Sequence, residues 1–158
     1  AKVKAFLKSH GIKDEEISVN APVVIDLNAD QYNNNMRTYR YNITSIITVT
    51  SHNVKLVRSI MARQGELLKQ GVAVVDGGWD NRTTYEYVSF QKMKPEMMQE
   101  AIKNAEITAN QFAENSNSKL SKITKADQGQ FSIEDRDQNT PYIKKVRVVT
   151  TVTYSLKD

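Results

Sequence analysis

The sequence contains no cysteine, which excludes disulfides, thiolate metal sites and Cys nucleophiles. Compartment stays open, because a Cys-free chain survives in reducing and oxidising surroundings alike. Histidine is almost as scarce. Only His10 and His52 are present, and neither has a partner at metal-ligand spacing. His10 falls at a predicted helix end, where a cation suits the macrodipole, and His52 at a helix start, so both read as structural. No run approaches the roughly 20 apolar residues needed to span a bilayer. Charge of one sign is also lacking: 22 Lys and Arg against 18 Asp and Glu leave +4, spread along the chain. Nucleic-acid recognition normally gathers its positive charge on one face. The length of 158 residues suits one domain with a real core and is short for two.

What is present is periodicity, punctuated by six glycines and three prolines. Residues 3–10 read as a helix with Val3, Phe6 and Leu7 on one side. Gly11 is placed to take the left-handed conformation, after which Ile12 packs back. From Ile17 the odd positions Val19, Ala21, Val23, Ile25, Leu27 and Ala29 are apolar, the signature of a half-buried strand, and Pro22 marks an edge or a bulge in it. Residues 30–35 read as a polar, mobile hairpin loop. A second strand follows with Tyr39, Tyr41, Ile43, Ile47 and Val49 on one face, so the pair is predicted to form a long antiparallel hairpin.

Ser51 or Asn53 caps a predicted helix that runs to about Gln70 and ends at Gly71. Residues 72–75 read as a buried strand, 76–81 as a turn, and 84–90 as a strand with Tyr85 and Tyr87 on one face. Pro95 suits the first position of the longest helix. In that helix Met97, Met98, Ala101, Ile102, Ala105, Ala109, Phe112 and Ala113 form a stripe, and Ala101, Ala105, Ala109 and Ala113 are predicted to make its closest contact with the sheet. The last region reads as a strand at 120–126 continuing through Phe131 and Ile133, a turn at 135–141, and a strand with Val146, Val148, Val152, Tyr154 and Leu156 on one face. The predicted fold is α+β: antiparallel sheet built from repeated hairpin-plus-helix units, with the helices packed on the sheet.

Few constellations carry chemistry. Asp135, Asp137 and Asn139 mimic the opening of a calcium loop, but the Gly and the bidentate Glu it needs are replaced by Thr140 and Val146, so a solvated turn is expected. Gly77-Gly78 lacks the further glycines of a phosphate loop. The neighbouring carboxylates Glu15 and Glu16, and Glu134 and Asp135, read as solvated charges rather than an acid and base pair. Tyr39, Tyr41, Tyr85 and Tyr87, with Arg37 and Arg40, mimic a single-strand-binding sheet, but core or sheet-surface roles are the commoner use of such tyrosines. No catalytic, cofactor or metal residue is assigned, and no metal or cofactor is expected. The candidate interaction surface is the turn carrying Asp76, Trp79, Asp80 and Arg82. Trp79 is either a partner anchor or a cap over the sheet end, and the cap is preferred because tryptophans are on average well buried.

Ordered segments along the chain carry a resemblance. Glu100-Ala101-Ile102-Lys103-Asn104-Ala105, Ala109-Asn110-Gln111-Phe112-Ala113, Ser118-Lys119-Leu120-Ser121-Lys122-Ile123 and Gln128-Gly129-Gln130-Phe131-Ser132-Ile133 resemble the SIMPL-domain family. Residues 7–17 (LKSHGIKDEEI), Tyr39-Arg40-Tyr41 and Leu68-Lys69-Gln70-Gly71-Val72 match in the same order. The resemblance implies a single domain over residues 1–158, lacking the family's N-terminal strand region and export segment. It further implies a bacterial, periplasmic or envelope-held protein that forms homo-oligomers, with membrane attachment only through that N-terminal segment. The expected function is therefore non-enzymatic: protein contacts and self-assembly in the envelope, with an envelope protein as a further partner and envelope or stress maintenance as the role. An enzyme acting on a cell-envelope substrate is the first alternative, and a nucleic-acid-binding module the second. The final strand has Lys144, Lys145 and Arg147 at its start and only Thr and Ser on its polar face thereafter. Its later half is a poorly defended edge if exposed, so self-association is expected through sheet edges or through the Trp79 turn.

Overall fold

A computed structural model describes residues 1–29, 39–75 and 77–158. Helix α1 (Lys2–Ser9) buries Phe6 and Leu7 and stops where predicted. Gly11 takes φ +96°, its N–H reaches the Lys8 carbonyl at 3.1 Å, and Ile12 N–H reaches that of Leu7 at 3.1 Å. This Schellman closure satisfies two orphan carbonyls and carries Ile12 into the core.

Two compact units follow from the chain's contacts, Ala1–Asn81 and Arg82–Asp158. In the first, β1 (Ile17–Val19), β2 (Val23–Asp26), β3 (Tyr41–Thr44) and β4 (Ile47–Val49) form the expected antiparallel hairpin, interrupted at Pro22. Ile17 faces Val49 and Val19 faces Ile47, so apolar side chains share a face at the base. Beyond the interruption Val24 faces Ile43 and Asp26 faces Tyr41. Odd positions now oppose even ones, a register offset of one residue, and side-chain period two turns that into a change of face. Val24, Ile43 and Tyr41 therefore point to one side of the distal ribbon, Val23 and Ile25 to the other. The loop read at 30–35 lies outside the described residues.

Asn53 caps α2 (Val54–Ala62), its side-chain oxygen accepting from Leu56 N–H at 3.1 Å. The single helix expected up to Gln70 is broken after Ala62 and resumes as α3 (Gly65–Lys69), which lets Ile60 and Leu67 both turn inward. A second Schellman closure at Gly71, φ +77°, ends it. The core holds Phe6, Leu7, Ile12, Ile60 and Leu67, with Ile17, Ile47 and Val49 of the sheet packed against it. Helices thus lie on antiparallel sheet. The strand expected at 72–75 is not formed: Val72 is used to close α3 against the core, and among the described residues no strand takes up the ladder of Val74 and Val75.

In the second unit, residues 84–89 are not a strand and Phe90 already begins α4 (Phe90–Asn115). Tyr85 is half-buried through an edge-on ring contact with Tyr142, centroids 6.0 Å apart, rather than through a ladder. Pro95 lies inside α4 instead of at its first position. Phe90 packs edge-on against Phe131 at 5.2 Å and anchors the earlier start, leaving Pro95 to cost only the bond to the Gln91 carbonyl and its local crowding. Asn117, φ 55°, takes the left-handed position after α4, and Ser118 N–H reaches the Ala113 carbonyl at 2.9 Å.

β5 (Lys119–Asp135) and β6 (Lys144–Lys157) form the longest antiparallel pair. Leu120 faces Leu156 and Ile123 faces Tyr154, three residues of β5 spanning two of β6, and the register shifts twice more, each time by one extra residue in β5. β5 is the bulged strand. β6 is regular, with Val146, Val148, Thr150, Val152 and Tyr154 half-buried and the intervening residues exposed. The architecture is α+β, and the described residues form three two-stranded antiparallel sheets, without the middle strand pair of the expected repeat.

Candidate functional site

The turn carrying the expected interaction residues owes its shape to glycine. A Cβ on Gly77 would collide with the backbone and side chain of Asn81, and Gly78 has φ +64°. Asn81 Nδ2 donates to the Gly77 carbonyl at 3.5 Å. Trp79 stands 87% exposed at this turn, so the preferred reading as a buried cap over the sheet end is overturned. Two adjacent glycine-dependent conformations project the indole outward instead of folding it over a strand. Asp80 is exposed beside it, and Arg82 is an exposed residue that opens the second unit. Asp76 lies outside the described residues.

The titratable groups are organised by local partners. Asp14 accepts from Lys8 at 2.6 Å and pairs with Lys4 at 2.9 Å, and these two cations hold its carboxyl at about 2. Glu16 is lowered by the Ser51 hydroxyl and then by the Lys13 amide. Arg40 grips Asp26 through two nitrogens, lowering the carboxyl, and stacks over the Tyr41 ring at 5.1 Å. Glu66 is lowered by Arg63. In the calcium-like turn Asp137 accepts from Thr140, from Arg136 and from Asn139 N–H, which hold it at about 2, while Asp135 pairs with Lys144. Its carboxylates are spent on closing the turn, as a solvated turn requires. His10 bonds the Phe6 carbonyl through Nδ1 at 2.8 Å and its ring lies 4.3 Å from the Phe6 ring, a structural role at the end of α1. Among the described residues no three His, Asp or Glu side chains gather at metal-binding range.

The tyrosines read as a possible binding sheet do not share one. Tyr39 and Tyr41 belong to the first unit, whereas Tyr85 and Tyr87 sit in the second, off any strand. Arg37 lies outside the described residues.

Two apolar features were only partly legible. The first is the β2–β3 ribbon, where Val23, Val24, Ile25, Tyr41 and Ile43 are 52–65% exposed and point to both faces. Pro22 signalled the interruption, but the one-residue offset behind it has no sequence signal of its own. The second is a groove of about 750 Å³ between α4 and β6. Ala101, Ala105 and Ala109 form its floor on the helix side, Asn104, Thr108 and Phe112 its rim, and every residue from Val146 to Val152 its other wall. The alanine stripe thus faces β6 across this groove, half-buried along α4 and ending in buried Ala113. Side chains of consecutive strand residues alternate between its two faces, so the groove takes in backbone as well as side chains of β6.

The family model described as SIMPL, protein of unknown function (DUF541), matches residues 1–154 and therefore spans both units. A search of curated proteins gives no match.

Proposed function

The chain belongs to the SIMPL family, and from that premise we propose that it is a non-enzymatic domain of the bacterial cell envelope, periplasmic, acting through protein contacts and self-assembly. The observation that carries the reading is the β2–β3 ribbon, which presents large aliphatic and aromatic side chains on both faces. A two-stranded ribbon is marginal in water by itself, and burying such side chains is worth roughly 25 cal/mol for each Å² removed from water. Asp26 and Arg40 on the ribbon neutralise each other in an ion pair. The ribbon therefore offers a neutral apolar surface, which suits a second copy of a chain whose net charge of +4 repels copies elsewhere. The non-enzymatic part is supported by the shifted carboxylates: Asp14, Glu16, Asp26, Glu66 and Asp137 are all pushed down by structural partners, the opposite of a poised general acid. Envelope or stress maintenance is the role such an assembling domain serves.

Light scattering on the native chain and on the double variant Val24→Asp, Ile43→Asp tests this. The native mass is expected above 17.9 kDa and the variant mass below the native one. Equal masses would remove the ribbon from the contact.

A further inference from the structure

We propose that the self-assembly inferred above, on which this inference rests, begins by antiparallel pairing of β6 with β6 of a second copy about a two-fold axis at Val149. Among the described residues β6 is paired to β5 alone. The backbone of Gly129 lies against the Val149 carbonyl, and the Thr124 hydroxyl donates to the Thr153 carbonyl at 3.2 Å. Odd-numbered carbonyls thus turn toward β5, and alternation turns those of Val148, Thr150 and Val152 toward the opposite edge of β6. β6 consequently presents, on the side away from β5, a regular edge of backbone donors and acceptors, and the same residues 146 to 152 wall the groove under α4.

The two edges of this sheet are not alike. β5 carries three bulges together with Lys119, Lys122 and Lys125, the devices that discourage pairing. β6 has no extra residue, and from Val148 to Leu156, between Arg147 and the terminal Lys157, it carries no charge. That asymmetry selects a second copy and its orientation. Parallel pairing in register would stack Lys145 and Arg147 on their own copies. Antiparallel pairing about Val149 sets Lys145 against Thr153 and Arg147 against Thr151 on the outer face, and Val146 against Val152 on the face under α4. The stretch that walls the groove, residues 146 to 152, is centred on Val149, so this register pairs the whole stretch with itself. It also places Val149, 46% exposed in the single chain, against its own copy. Phe112 at the rim then covers the added strand, and the short side chains of Asn104 and Thr108 face the neighbouring α4. The contact is isologous and closes at two.

The absence of native cysteine makes the register directly readable. With odd carbonyls turned to β5, Val149 and its copy form a non-hydrogen-bonded pair, the close spacing that a cross-strand disulfide fits. Val149→Cys is expected to form a disulfide dimer under mild oxidation about a thousandfold faster at micromolar protein than Ser121→Cys on exposed β5, the ratio set by a millimolar effective concentration. A mixture of Lys145→Cys and Thr153→Cys is expected to cross-link as the heterodimer in preference to either homodimer. If the native chain associates but Val149→Cys oxidises no faster than Ser121→Cys and the mixture shows no heterodimer preference, the strand pairing is overturned and the self-assembly reading stands. If the native chain stays monomeric at every concentration, both fall.

Discussion

Leu67 and Leu68 are adjacent leucines in α3 with opposite environments, 3% and 67% exposed. Truncating each to alanine separates the energetics of the first unit's core from the properties of its sequence. Leu67→Ala removes three carbons from a cluster of five buried residues, Phe6, Leu7, Ile12, Ile60 and Leu67. At about 0.8 kcal/mol per buried methylene the transfer loss alone is about 2.4 kcal/mol, and the cavity left behind brings the expected cost within about 2–5 kcal/mol. The Leu67 carbonyl, which accepts from Gln70 and Val72 N–H at 3.0 Å, survives the change, so the helix end stays closed and the loss is side-chain burial alone. Against a typical domain stability of about 5–15 kcal/mol, this moves a urea midpoint far. Leu68→Ala should move it by less than about 0.5 kcal/mol. Far-UV circular dichroism is the suitable probe, since Trp79 is already exposed in the native state and reports burial poorly. Equal shifts for the two variants would refute the placement of the core.

Asp14, held at about 2 against an ordinary 3.8, contributes stability that is present above the ordinary value and lost as pH falls through about 2. The pair is exposed and the effect correspondingly small; carboxyl NMR titration should give a value well below 3.8 that rises in Lys8→Ala, and an unperturbed native value would contradict the pairing. Ala113→Leu, at the buried end of the alanine stripe, should overpack α4 against its neighbours and cost about 1–3 kcal/mol, an unchanged melting midpoint showing that the stripe faces solvent. Excess EDTA should leave the melting temperature unchanged, and a fall restored by calcium or zinc would reopen a metal role.

The legible parts of this fold are those decided locally. Gly11 and Gly71 announced helix ends because a left-handed residue after an apolar helix turn has few other uses. Asn117 plays the same role after α4, inside the stretch 115–118 that reads as the helix stop, but asparagine is also common in ordinary loops and does not mark the left-handed position by itself. The alanine stripe was legible because i to i+4 spacing alone defines a face. What escaped was decided by partners distant in sequence. The apolar run at 72–75 reads alike whether it pairs as a strand or merely closes a helix end, and the lack of a pairing strand among the described residues distinguishes the two. Each strand of the first hairpin shows its own apolar face, yet which faces coincide depends on a single extra residue near Pro22. Trp79 departs from the expected burial for a related reason: average burial says nothing of a turn whose glycines aim the indole outward.

Sedimentation equilibrium of the native chain over a wide concentration range tests the central claim most directly. Self-assembly predicts a weight-average mass that rises from 17.9 kDa through twice that value as concentration increases. A constant mass of 17.9 kDa throughout would contradict it.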